Sequence, residues 1–248
     1  MPRFFVKNEQ INNDIITITN EDVKHIKNVL RKDIGDEIEI CNQESGESFK
    51  TNIVDINDKQ IKVKIFENIN TKTEANVYVS IFQGLPKADK MELIIQKSVE
   101  LGVSEITPVA MKRCIVKINQ KDEKKKIQRW QKISEGAAKQ SGRNIIPKIN
   151  NVKKIKNICE SFSEYDIVLV AYENEKENKL KQELNKINKS NDNIKIAVVI
   201  GPEGGIENEE IELLKKSGAK IITLGERILR TETVALNIIS IIMYELEK

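Results

Sequence analysis

Two short segments hold residue types whose spacing could act on a ligand. Val198–Ile206 reads VVIGPEGGI: it leaves an apolar run, turns through glycines and enters a helical pattern near Glu207. Glycines let a backbone approach a ligand closely, and free amides at a helix start favour anions. The run is neither G-x-G-x-x-G nor a Walker A loop, since no Lys-Ser/Thr follows, so a purely structural turn stays equally open. Leu224–Ala235 reads LGERILRTETVA, with Arg227, Arg230 and Glu232 set around apolar Ile228 and Leu229. A charged loop between a buried strand and a buried helix suits ligand contact, with an interdomain or intersubunit salt bridge as the alternative.

The rest of the inventory narrows the chemistry. His25 is the sole histidine, which excludes multi-His metal chemistry and argues against Ser-His-Asp or Cys-His mechanisms. Cys41, Cys114 and Cys159 are too dispersed for a disulfide framework or a zinc site, and they read as ordinary thiols. No metal is expected.

The elements that must position these loops fall into two styles, dividing the chain into 1–72 and 73–248. In the first part Glu37–Cys41 (EIEIC) and Gln60–Phe66 (QIKVKIF) alternate as half-buried strands do, with a turn around Gly46 between them. Asn20 or Asp22 is expected to cap a helix that carries Val23, Ile26, Val29 and Leu30 and ends before Gly35. A small β-barrel follows from this pattern, with a linker at Thr71–Asn76.

From Val77 strands alternate with helices. Val77–Leu85 reads as a strand, and a capping-box variant, Asp89 with Glu92, opens a helix closed by Gly102. Another helix is expected from about Glu123 to Ser141. Ile167–Ala171, Ile194–Ile200 and Ile221–Leu224 are continuous apolar runs, as buried parallel strands should be. A helix through Ile211–Lys216 ends at Gly218, and the polar stretch Asn174–Asn193 reads as solvated helix and loop. The order implies an α/β fold, a mostly parallel sheet with helices on both faces. The last helix, about Glu232–Glu247, is apolar round nearly its whole circumference, so it is either buried in its own domain or, as the favoured reading, shared with a second subunit.

Charge is uneven. The chain has a formal net charge of +3, but residues 111–148 hold 12 Lys/Arg against 3 Asp/Glu, whereas residues 1–72 hold 11 against 13. The first imbalance makes a plausible phosphate-binding face, with a solvated lysine-rich face as the alternative. No apolar run reaches the roughly 18 residues of a membrane helix, and MPRFFVKNEQ lacks a signal-peptide core. The expected compartment is the cytoplasm.

Taken together, these segments resemble the RsmE family, the uridine N3-specific methyltransferases of 16S ribosomal RNA within the SPOUT superfamily. The likeness spans nearly the whole chain. It runs from Arg3-Phe4-Phe5 through His25 and Val29-Leu30-Arg31, Lys90-Met91-Glu92 and Gln96–Gly102, to Ile106-Thr107-Pro108, Arg113-Cys114 and Gln140–Asn144 with Pro147. Ile200–Gly205 and Leu229–Ala235 are its most specific motifs.

The resemblance implies a SPOUT trefoil-knotted methyltransferase domain behind a small N-terminal PUA-like β-barrel that helps bind RNA. Composition alone would reject a knot, since chains almost never thread loops. It implies S-adenosyl-L-methionine (AdoMet) as methyl donor, bound through three strand-end loops. By position these carry Ala171, Tyr172 and Glu173; Ile200, Gly201 and Gly205; and Leu224, Gly225, Ile228 and Leu229. It further implies a homodimer built through the C-terminal helix and knot region, acting on the small ribosomal subunit.

Uridine N3 carries a proton and must lose it before it can attack a methyl group. Arg230 is the expected cation beside the developing negative charge. Glu232, or solvent through a water, is the expected base, since Arg cannot serve as one. Arg3, Arg31, Lys112, Arg113 and Arg143 are the expected RNA contacts. Two rivals remain open: a non-catalytic RNA-binding assembly protein, and a related methyltransferase acting on another RNA. A Rossmann dehydrogenase is remote, because its glycine fingerprint is missing.

Overall fold

The computed structural model describes residues 1–69, 73–188 and 193–248. It comprises two compact units, Met1–Glu74 with Ala138–Ile146, and Ala75–Ala137 with Pro147–Lys248. The expected linker begins on residues outside the described ones, as does part of the polar stretch 174–193.

In the first unit the strands are β1 (Arg3–Val6), β2 (Ile11–Asn12), β3 (Ile15–Thr19), β4 (Glu37–Asn42), β5 (Ser48–Ile56) and β6 (Gln60–Ile69). They form one sheet in the order β1-β4-β5-β6-β3-β2, with only the β1–β4 pair parallel. Alternation sets the register: Ile38 and Ile40 of β4 and Ile61 and Val63 of β6 point inward and are buried. They join Phe4, Ile16, Ile18, Ile26 and Ile53 in one core. Each such side chain contributes about 1.5–3 kcal/mol by leaving water.

The helical insert departs from expectation. A short helix α1 (Glu21–Lys24) passes directly into a π-turn over His25–Val29, in which the Leu30 N–H bonds the His25 carbonyl at 2.9 Å. A π-turn closes i to i+5, so the apolar face slips relative to a 3.6-residue period. Val23 and Ile26 are buried, whereas Val29 is 69% exposed. Asn20 occupies the N-cap position, but its side-chain amide bonds Thr19 Oγ1 and only its backbone carbonyl meets the helix, accepting the Val23 N–H at 3.3 Å.

The segment 138–146 closes this unit through a polar cluster. Arg3 pairs with Glu39 and donates to the Arg143 carbonyl at 2.9 Å, to Asn144 Oδ1 at 3.1 Å and to the Gly142 carbonyl. Arg143 pairs with Glu74, whose Oε1 also accepts the N–H groups of Asn144 (2.9 Å) and Ile145 (3.1 Å). The sequence division at 72/73 assigns this segment to the other domain, because nothing in its pattern marks a chain return.

The second unit holds a parallel sheet of β7 (Val77–Gly84), β8 (Glu105–Ala110), β9 (Lys148–Ile149), β10 (Lys153–Lys154), β11 (Ile167–Ala171), β12 (Ile194–Ile200) and β13 (Lys220–Ile222). Its order is β10-β8-β7-β12-β11-β13, with β9 also on β8. The central strands are buried on both faces, which explains their unbroken apolar runs. The helices are α2 (Lys90–Glu100), α3 (Gln120–Ser141), α4 (Ile155–Cys159), α5 (Leu180–Leu184), α6 (Asn208–Lys216) and α7 (Thr231–Leu246). Asp89 is the N-cap of α2 through its backbone carbonyl; the expected side-chain cap is not formed. On α7, Ala235, Ile238, Ile239 and Ile242 are buried, while Leu236 and Ile241 stay half-exposed and Tyr244 is 87% exposed. No described helix is long and apolar enough to cross a membrane.

Candidate active site

A cavity of about 520 Å³ opens at the carboxyl ends of β11, β12 and β13, where open α/β sheets characteristically place ligands. Three loops wall it: Ala171–Glu173, Ile200–Gly205 and Thr223–Arg230, with Lys90, Lys176, Thr231 and Val234 completing the lining. The ten residues expected to hold a cofactor all line this one cavity.

Backbone packing explains the glycines. A Cβ on Gly84, at the end of β7, would lie 2.7 Å from Pro202 N and Cδ, so only glycine lets the β12 loop come this close. A Cβ on Gly201 would meet Ile206 Cγ1 at 2.9 Å and the Gly205 carbonyl carbon at 3.2 Å. Gly225 has φ +113°, a conformation that L side chains rarely adopt.

A buried relay fixes this loop to the last helix. The fully buried Gln83 amide donates to Thr231 Oγ1 at 2.9 Å, and Thr231 Oγ1 donates to the Gly201 carbonyl at 2.7 Å. The ends of β7 and β12 and the start of α7 thus meet in two hydrogen bonds. Both polar groups are hidden from water, so leaving either unmade costs about 1–3 kcal/mol.

A charged cluster stands on the cavity wall. Lys90 Nζ lies 3.1 Å from Glu203 Oε1 and 3.2 Å from Glu232 Oε2, joining the first turns of α2 and α7 to the GPEGG loop. The Glu203 carboxylate also accepts the Lys87 N–H at 3.1 Å. Burial pushes the Glu203 carboxyl up, but the Glu203 and Lys87 N–H groups and the Lys90 ammonium outweigh it and hold it below the ordinary carboxylate value. Hydrogen bonding to Glu203, opposed by desolvation and helped by Glu232, holds Lys90 above its own ordinary value.

Of the two expected catalytic residues, Arg230 lies on the cavity wall, exposed, as the N-cap residue of α7. Glu232 reaches the wall only through its contact with Lys90.

The expected RNA contacts divide sharply. Arg3 and Arg143 have side chains only 11% and 8% exposed, held in the ion pairs that close the first unit and turned away from solvent. Arg113 pairs with Glu207 at 2.9 Å and donates to the Gly204 carbonyl at 3.1 Å, bracing the GPEGG loop. Lys112 pairs with Glu209. Arg31 alone of the five is exposed without a described ion pair. On α3, Lys121, Lys124 and Lys125 are likewise exposed.

Sequence reasoning gave no role to Lys90, Gln83, Glu203 or Thr231. Their nearest signal was position: Lys90 follows the Asp89 cap, and Glu203 and Thr231 lie inside the two motifs. Nothing local shows that these positions converge.

Comparisons with known proteins agree with this geometry. A family model described as an RNA methyltransferase domain matches residues 73–243, and one described as an RNA methyltransferase PUA domain matches residues 18–66. The chain is 36% identical to the ribosomal RNA small subunit methyltransferase E of Bacillus subtilis, covering 100% of this chain and 98% of that one. It is 36% identical to the protein of the same name from Mesomycoplasma hyopneumoniae, over 95% and 96%. Among solved structures, ribosomal RNA small subunit methyltransferase E from Neisseria gonorrhoeae bound to S-adenosyl methionine aligns with a TM-score of 0.84 at 29% identity, over 98% and 97% of the two chains.

Proposed function

We propose, from the premise that this chain belongs to the ribosomal RNA small subunit methyltransferase E family, that it methylates N3 of a uridine in 16S ribosomal RNA with AdoMet as donor. The observation that carries this reading is the convergence of the GPEGG and LRTETVA loops, with Lys90, on one cavity.

The cavity suits the donor. Its volume of about 520 Å³ falls in the range of small-molecule sites. Ala171, Ile200, Leu224 and Leu229 offer apolar walls for a planar base, and the glycine backbone offers close amides. Glu173 and Glu226 are carboxylates on the same wall, suited to hydroxyl or ammonium groups. Bound there, AdoMet supplies an electrophilic methyl group on a sulfonium sulfur.

The chain must then prepare the uridine. Arg230 at the mouth offers a fixed positive charge where the deprotonated base develops negative charge, and the N3 proton leaves through a water to solvent or to Glu232, which stands behind Lys90. Holding the base in line with the methyl group supplies several further kcal/mol, of order 7 or more in well-oriented systems.

The finer architecture belongs to the same proposal. What supports a trefoil knot is the position of β13, which pairs with β11 on the side away from β12, so that the chain crosses β11 before α7 begins. The half-exposed Leu236 and Ile241 and the exposed Tyr244 on α7 support a homodimer through that helix. The six-stranded first unit, a PUA match over 18–66, supports RNA binding there. The substrate places the enzyme in the cytoplasm.

The test is to incubate the protein with labelled AdoMet and small subunits lacking their own modification, then map the methyl group by mass spectrometry. A methyl on N3 of one uridine is expected. AdoMet binding with a product at another position would favour the related-enzyme rival, and absence of both binding and transfer the non-catalytic one. Arg230→Ala should reduce transfer while AdoMet affinity stays near wild type.

A further inference from the structure

We propose that Lys90 is a catalytic residue of this site, its ammonium hydrogen-bonding a uracil carbonyl oxygen and stabilising the uridylate anion. The assignment rests on the uridine N3 reading above and gives it a second cation, deeper than Arg230.

Three observations carry it. First, Lys90 lines the cavity, and its side chain is only 28% exposed, whereas Arg230 is an exposed cap residue. Second, Lys90 is held from two directions, by Glu203 of the GPEGG loop at 3.1 Å and by Glu232 of α7 at 3.2 Å. A long lysine side chain normally loses much rotamer freedom when it meets a ligand. Here two carboxylates have already fixed it, so the charge is in place before the substrate arrives. Third, an ammonium has three N–H bonds and no acceptor. Paired with two carboxylates and lining the cavity, it keeps donor capacity for a ligand carbonyl there.

The groups around Lys90 also keep it charged. Glu203 and Glu232 both favour the ammonium, so it stays cationic under the mildly alkaline conditions in which a uracil N3–H ionises. Two carboxylates against one lysine leave the cluster with an excess negative charge. That excess falls when Glu232 takes up a proton.

The step balances as follows. The N3–H bond breaks and its proton passes through a water to the Glu232 carboxylate, which stands behind Lys90. The N3 electron pair forms the new N–C bond, and the C–S bond pair stays on sulfur as a neutral thioether. Lys90 is not consumed: as Glu232 is neutralised, its ammonium exchanges one anionic neighbour for the uridylate oxygen.

The test uses Lys90→Met and Lys90→Gln in the full chain, with AdoMet affinity by calorimetry as the check on folding. Single-turnover methyl transfer is measured on the small-subunit RNA that wild type modifies, and on the same RNA transcribed with 5-fluorouridine. The fluorine makes N3–H more acidic and its anion easier to form. Expected are near-wild-type AdoMet affinity and a loss of about 100-fold or more on normal RNA, with the wild-type-to-variant ratio falling towards one on fluorinated RNA. Lys90→Gln, which can still hydrogen-bond Glu203, should show the same substrate dependence even if Lys90→Met unfolds. An equal loss on both RNAs, or full activity in either variant, would overturn the assignment and leave Lys90 a structural bridge. A wild-type product at a position other than N3 would instead overturn the reading on which it rests.

Discussion

At the scale of single residues, the cavity depends on side chains that hold its loops together. Thr231 is the middle of the Gln83–Thr231–Gly201 relay. Thr231→Val keeps the shape but strands a buried amide and a buried carbonyl, costing about 1–3 kcal/mol. AdoMet affinity measured by calorimetry should fall, with unfolding temperature lowered; an unchanged affinity would show that the relay does not hold the loop. Glu203 gives a pH signature. Its folded value is depressed, so its stabilising effect is present above the unfolded value and is lost as pH falls through the folded one. AdoMet affinity should therefore stay level through the ordinary glutamate range and drop only at lower pH. In Glu203→Gln that acid drop should be absent; its persistence would assign the drop to another group.

At the scale of elements, the segment 138–146 is a structural part of the first unit. Arg143→Ala leaves Glu74 facing two backbone amides without its guanidinium, and breaking such an enclosed pair costs about 3–5 kcal/mol. Hydrogen exchange in β1 and β4 should quicken, while the salt dependence of RNA binding keeps its slope. A shallower slope with unchanged exchange would restore Arg143 as a phosphate contact. The sequence made the strands legible wherever alternation or continuous apolarity was clean, as in β4, β6, β11 and β12. It misplaced Val29 because a π-turn breaks the 3.6-residue period on which helix faces are read. It missed the return of 138–146 because that segment is tied by ion pairs with Arg3 and Glu74, and long-range charge pairing leaves no periodic trace. In the cavity the glycine and arginine loops were visible as motifs. Lys90 and Gln83 were not, since each acts through residues more than a hundred positions away.

At the scale of the whole molecule, modest net charge conceals one concentrated source of RNA attraction. With Arg3 and Arg143 turned inward and Lys112 and Arg113 paired, the exposed Lys121, Lys124 and Lys125 of α3 become the main candidates for phosphate contact in 111–148. Replacing all three with Ala should lower the slope of log K against log salt by about 2, at roughly 0.7 per contact on single-stranded RNA. Methyl transfer at saturating RNA should stay intact. A wild-type slope in the triple variant would move the interface elsewhere.

The relay also sets a timetable. Gln83 and Thr231 are separated by 148 positions, so the support of the cavity joins the end of β7 to the start of α7. Contacts of such span form late, after the loop between them has been closed at entropic cost. On a translating ribosome, a nascent chain that has not yet released Thr231 holds the GPEGG loop without its anchor. The donor site is therefore completed only after Thr231 has been made and released, however early β7 and β12 have paired.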